Sequence, residues 1–158
     1  MSWPNALLAG FVGTLLLTTL EAGAQQLRLT RMSLPYLLGT MVTPSREKAK
    51  LVGFGLHLVN GEILAFVYLL LFHAVGRATA VLGGIFGLVH SAVLLLVLIP
   101  LFPAVHPRMS SPSSGPTELR PLEPPGPFAL NYGFSTPAAV VLAHVLFGAV
   151  LGALCHFR

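Results

Sequence analysis

Four stretches of this chain, roughly residues 4 to 27, 51 to 74, 79 to 102 and 135 to 157, each hold about 20 consecutive, mostly apolar residues, the length a helix needs to cross the hydrocarbon of a bilayer. No fifth stretch qualifies. Hydrocarbon offers backbone N–H and C=O groups no partner, so such segments are committed to helices that close their own hydrogen bonds. The composition agrees: 54% of the 158 residues are hydrophobic and 9% are charged, Asp is absent, and the few charges fall mostly between the apolar runs. A soluble amphipathic helix carries its charges along one face instead. The chain therefore reads as all-α, a polytopic membrane four-helix bundle forming a single domain over residues 1–158.

Charge orients it. The connection from Arg28 to Lys50 holds Arg28, Arg31, Arg46, Lys48 and Lys50, and the connection over 103–135 adds Arg108 and Arg120, against Arg77 and Arg158 on the other side. That bias places connections 28–50 and 103–135 in the cytoplasm and both termini outside it, with lipid as the first partner. Ala22-Gly23-Ala24 resembles a signal-peptide cleavage site, but no Lys or Arg precedes the first apolar run, so that run is expected to stay as a helix. Helix starts are expected at Thr43-Pro44 and Thr136-Pro137, a capping hydroxyl followed by proline at the first helical position. Eight prolines in connection 103–135 forbid a helix there and predict a segment that is disordered or draped over the bundle end. Trp3, Tyr36 and Tyr132 fall where interfacial aromatics are expected. Nine Lys and Arg in all, most of them in one short connection where membrane topology places them, do not make a nucleic-acid surface. The single Cys155 excludes an intrachain disulfide and a Cys-rich metal site.

The first span reads Leu8-Ala9-Gly10-Phe11-Val12-Gly13 and the third Leu82-Gly83-Gly84-Ile85-Phe86-Gly87; the second holds His57 with Gly61 and the fourth His144 with Gly148. This is the pattern of one helical hairpin used twice, a parallel repeat about an axis along the membrane normal, and it predicts His57 and His144 at matching depth on opposite sides of that axis. Small residues recur at four-residue spacing, the period that lets helices approach closely in lipid: Gly53, Gly61 and Ala65 with His57, Gly148 and Gly152 with His144 and His156, and Gly83, Gly87 and Ser91 beside His90. Gly10, Thr14 and Glu21 lie near one face of the first span.

An ionisable group at membrane depth costs on the order of 3 kcal/mol, so Glu21, His57, Glu62, His90 and His144 are expected to face the interior. Three readings compete. Each histidine can simply bond a carbonyl, hydroxyl or Glu across a helix interface. Alternatively His57 and His144 form the axial pair of a b-type haem, or the five residues supply mixed N and O ligands to a transition metal, although no Glu-x-x-His pair of the di-iron type occurs. Third, the histidines relay protons or a small solute through an oligomer. His73 and His156 sit at outer helix ends, and His106, in His106-Pro107-Arg108-Met109, either reaches the bundle mouth or ends its helix. No nucleophile elbow, phosphate-binding glycine loop or HExxH motif is present.

Gly10-x-x-Gly13, Leu34-Pro35 through Leu38-Gly39, His57 with Gly61, His106-Pro107-Arg108-Met109, Thr136-Pro137 and His144-x-x-x-Gly148-x-x-x-Gly152 together resemble a family of small four-helix bacterial membrane proteins. The resemblance implies a bacterial inner-membrane location and four helices, and it lends no activity. The expectation is a non-enzymatic membrane subunit or accessory protein that meets other membrane proteins or itself.

Overall fold

The computed structural model describes residues 3–111, 113 and 115–155, and only the backbone of Trp3. His156 and Arg158 lie outside the described residues. The helices are α1 (Trp3–Gln26), α2 (Leu34–Val42), α3 (Arg46–Val75), α4 (Ala80–Val93), α5 (Ile99–Val105) and α6 (Thr136–Leu154), and no strand occurs among the described residues. Four helical stretches are long and apolar enough to cross a membrane: Pro4–Gln26, Arg46–Val75, Ala80–Val105 and Thr136–Leu154.

Several local expectations are corrected. Connection 28–50 contains α2, because Ser33 caps it by accepting from the Tyr36 N–H, Pro35 suits its first turn, and its small face lies on α3. Thr43 ends α2 in extended conformation, and α3 starts one residue after Pro44–Ser45, with Ser45 as its cap. At α6 neither Ser135 nor Thr136 caps an amide; the Thr136 hydroxyl meets that of Thr30 at 2.7 Å. The third span runs on past Pro103 to Val105. Its α4 and α5 are joined by a π-helical segment, Leu94–Leu98, in which the Ile99 N–H bonds the Leu94 carbonyl five residues back. Pro100 has no N–H to give, which loosens the ladder there.

The long helices lie in the order α3, α1, α6, α4, with α2 along the start of α3, while α3 and α4 scarcely approach one another. A two-fold axis relating the hairpins would make the α1–α6 and α4–α3 contacts equivalent. The first is closely packed and the second is open.

Small residues set the close crossings. A Cβ on Gly83 would stand 1.9 Å from the Gly148 carbonyl oxygen, and one on Gly148 would stand 2.0 Å from that of Gly83, so α4 and α6 touch backbone to backbone. Where α1 crosses α3, the Thr14 side chain fits against Gly61.

The described part of connection 103–135 packs on the bundle end. Met109 and Leu122 form an isolated bridge, and Pro127–Tyr132 makes a 3-10 turn. Met109, Ser110 and Ala129 are fully buried. Tyr132 is not an interfacial ring as expected: it is buried in the core with its hydroxyl donating to the Glu123 carbonyl. Arg31 ties the two connections together through Glu123 and the Asn131 carbonyl.

The glycine crossings predict that Gly83→Ala and Gly148→Ala each destabilise the protein by about 1–3 kcal/mol or more, since the new methyl meets backbone that has to move. Gly55→Ala, whose Cβ would meet nothing within 4 Å, is expected to be neutral or slightly stabilising. Thermal unfolding in one detergent checks the contrast.

Candidate functional site

Where α3 and α4 part, a cavity of about 470 Å³ opens. Thr14 and Leu17 of α1 and His144 and Phe147 of α6 form its inner wall. His57, Asn60 and Leu64 of α3 face His90, Leu94 and Phe102 of the α4–α5 arm across it, and Leu34 and Leu38 of α2 close the basic end. Ile63 on one helix and Leu98, Leu101 and Val105 on the other are exposed at the rim, so the mouth opens sideways between the two helices. No Lys, Arg, Asp or Glu lines it.

At the opposite end the gap is shut by rings. Tyr68 stands edge-on to Phe72, Phe86, His90 and Phe147, with centroids 5.6–6.2 Å apart, and Phe72 and Phe86 lie 5.3 Å apart. These aromatic contacts bridge α3 and α4 where their backbones do not.

Three imidazoles share the cavity. The His90 and His144 rings are perpendicular with centroids 4.7 Å apart. His144 Nδ1 lies 2.8 Å from the Val140 carbonyl, which can only accept, so Nδ1 carries the proton and Nε2 is left as acceptor. His90 Nδ1 is 3.4 Å from the Tyr68 hydroxyl. His57 is buried, yet neither of its ring nitrogens meets a protein partner. An imidazole left without hydrogen bonds in such a place costs about 1–3 kcal/mol. The imidazole layer also divides the apolar interior into two cores, one around Ile99, Met109 and Val140 and the other around Phe72, Phe147 and Leu151.

The remaining candidates lie elsewhere. Glu21 is buried between α1, α2 and α3, and Glu62 sets Oε2 against Gly10 at the α1–α3 crossing; neither lines the imidazole cavity. Among the described residues no group of three or more His, Cys, Asp or Glu side chains is placed to hold a metal ion, so the five candidates do not form one ligand set. His73 is exposed near the end of α3. His106 does not face the cavity: it is a buried clasp. Its Nδ1 accepts from the Arg108 N–H at 3.1 Å, which puts the proton on Nε2, 3.0 Å from the Leu37 carbonyl, while the Arg108 guanidinium reaches the Thr40 carbonyl. Sequence reasoning missed Tyr68 and Asn60. An aromatic about two turns beyond Gly61 on the histidine-bearing helix was the available signal for the first.

Comparison with protein families, curated proteins and solved structures returns no match to this chain.

Burial, and to a smaller degree Arg108, hold the His106 imidazole below its usual 6.5, against the Leu37 hydrogen bond. Since the unfolded ring binds its proton more readily, the clasp contributes its full stability above about pH 6.5 and loses it as the pH falls below that. Hydrogen exchange over residues 106–111, corrected for the intrinsic rate, is expected to quicken between pH 7.5 and 5. His106→Gln should remove that pH dependence.

Proposed function

We propose that the protein is a small multi-pass protein of the bacterial inner membrane that binds a neutral, lipid-like ligand between α3 and α4, as a non-enzymatic accessory or carrier subunit. The single observation that carries this reading is the sideways-opening cavity with His57, unpartnered, among three imidazoles. Apolar walls suit a chain or ring system. Imidazoles, which both donate and accept, suit a carbonyl or hydroxyl head. A phosphate or carboxylate head would enter a wall without a single cation, and burying an unpaired charge is expensive. Location and orientation rest on the excess of Lys and Arg in connections 28–50 and 103–135 and on the family resemblance. The two hairpins are read as copies of one unit that diverged where α3 and α4 separate.

A second reading draws on the same residues: a b-type haem or a transition metal held by His57 and His144. It is favoured by the His144 Nδ1 bond to a backbone carbonyl, the arrangement that fixes the free nitrogen of a metal-ligating histidine. A visible spectrum and elemental analysis of the purified protein separate the two.

Protein extracted in mild detergent is expected to carry a neutral lipid visible by native mass spectrometry. His57→Leu should weaken retention by about 1–3 kcal/mol, tenfold or so. A protein that carries none, and takes up neither a short-chain prenylquinone nor diacylglycerol in nanodiscs, would overturn the reading; a Soret band would install the second one.

A further inference from the structure

On the other side of α2, at the basic end of the bundle, a smaller hollow of about 200 Å³ lies between α1, α2 and α3. Thr18, Glu21 and Gln25 line it from α1, Ser33 and Tyr36 from the start of α2, and Phe54 from α3. Glu21 is only 8% exposed, and neither of its carboxyl oxygens has a hydrogen-bond partner. A carboxyl so buried holds its proton when alone and ionises only with a counter-ion or donors beside it. The nearby cations do not serve: Lys50, at the edge of the hollow, is exposed and pairs with Glu47 at 3.2 Å, and Arg31 pairs with Glu123 at 3.1 Å.

We propose that this hollow binds a primary ammonium group, with the Glu21 carboxylate as its counter-ion. Three observations select that chemistry. A primary ammonium brings three N–H donors, and Thr18, Gln25, Ser33 and Tyr36 add oxygen acceptors to those of Glu21. Tyr36 and Phe54 put two aromatic side chains in the lining, and an aromatic face attracts a cation. The volume, about 200 Å³, exceeds that of a bare ion and suits a small organic amine. The group has two sources: a free amine from the aqueous side, or the ethanolamine head of a phospholipid at the same interface. In the second case the lipid phosphate falls toward Lys50.

The full chain in phosphatidylcholine nanodiscs, titrated with ethanolamine, tests the free source; native mass spectrometry from vesicles of mixed phosphatidylcholine and phosphatidylethanolamine tests the lipid source. Saturable ethanolamine binding, or retention of phosphatidylethanolamine in preference to phosphatidylcholine, is expected. Glu21→Gln should lower either at least tenfold, and Tyr36→Leu, which leaves the carboxylate in place, severalfold. Absence of both kinds of binding to the wild-type protein, or binding that Glu21→Gln and Tyr36→Leu leave unchanged, would overturn the proposal. None of these readouts depends on the imidazole cavity.

Discussion

Everything in this fold follows from where the chain uses its small residues. Helices in hydrocarbon gain nothing from burying apolar surface against one another, so they associate where backbones can come close. On α3 the small face, Gly53, Gly61 and Ala65, is taken up by α2 and α1; on α4, Gly83 and Gly87 are taken up by α6. Nothing small is left on the sides of α3 and α4 that face each other. Those sides carry His57, Asn60 and Leu64 against His90, Leu94 and Phe102, and the helices stand apart. The cavity is the consequence of two good interfaces that leave the third without material for contact.

The ends of the gap are closed by different means. Around Tyr68 the aromatic rings are wide enough to span it edge to face. At the basic end, α2 and the draped connection fill the space, with His106 joining one to the other. The π-helical Leu94–Leu98 segment shifts the following residues, and Leu98, Leu101 and Val105 end up along the mouth rather than against α6. A regular helix through Pro100 would have aimed a different row.

The four long helices were legible because an apolar run of that length has few other fates. The faces of α3, α4 and α6 were legible for a related reason: the four-residue spacing of Gly53, His57, Gly61 and Ala65 names the buried stripe without any knowledge of the partner. What the spacing does not name is which stripe meets which, and that is why a symmetric pairing of hairpins looked natural while the packing is one-sided. α2 escaped notice because its nine residues are too few to stand out as a periodic run, and because Thr43-Pro44 is a plausible cap for α3. Its Gly39 against Ala49 shows that it is held by α3 rather than by its own propensity. The metal-ligand set was drawn from depth and from the small-residue face of each helix, without the neighbour that each face meets. Neither fixes which neighbour a face meets, and it is the packing that sends Glu21 and Glu62 to the α1–α3 side and the imidazoles to the other.

That division matters more than the presence of either group. Had Glu21 or Glu62 faced His57, carboxylate and imidazole would have satisfied one another, as buried polar groups usually do, and the site would have been a structural pair. Set on opposite sides, each keeps its unused capacity: the Glu21 carboxyl two oxygens without a partner in a hollow lined by oxygens, rings and Lys50, the imidazole a donor and an acceptor in a cavity lined by no Lys, Arg, Asp or Glu. Two buried groups left incomplete by the same fold, in surroundings of different polarity, are the ground on which two occupants of different chemistry, one cationic and one neutral, are proposed.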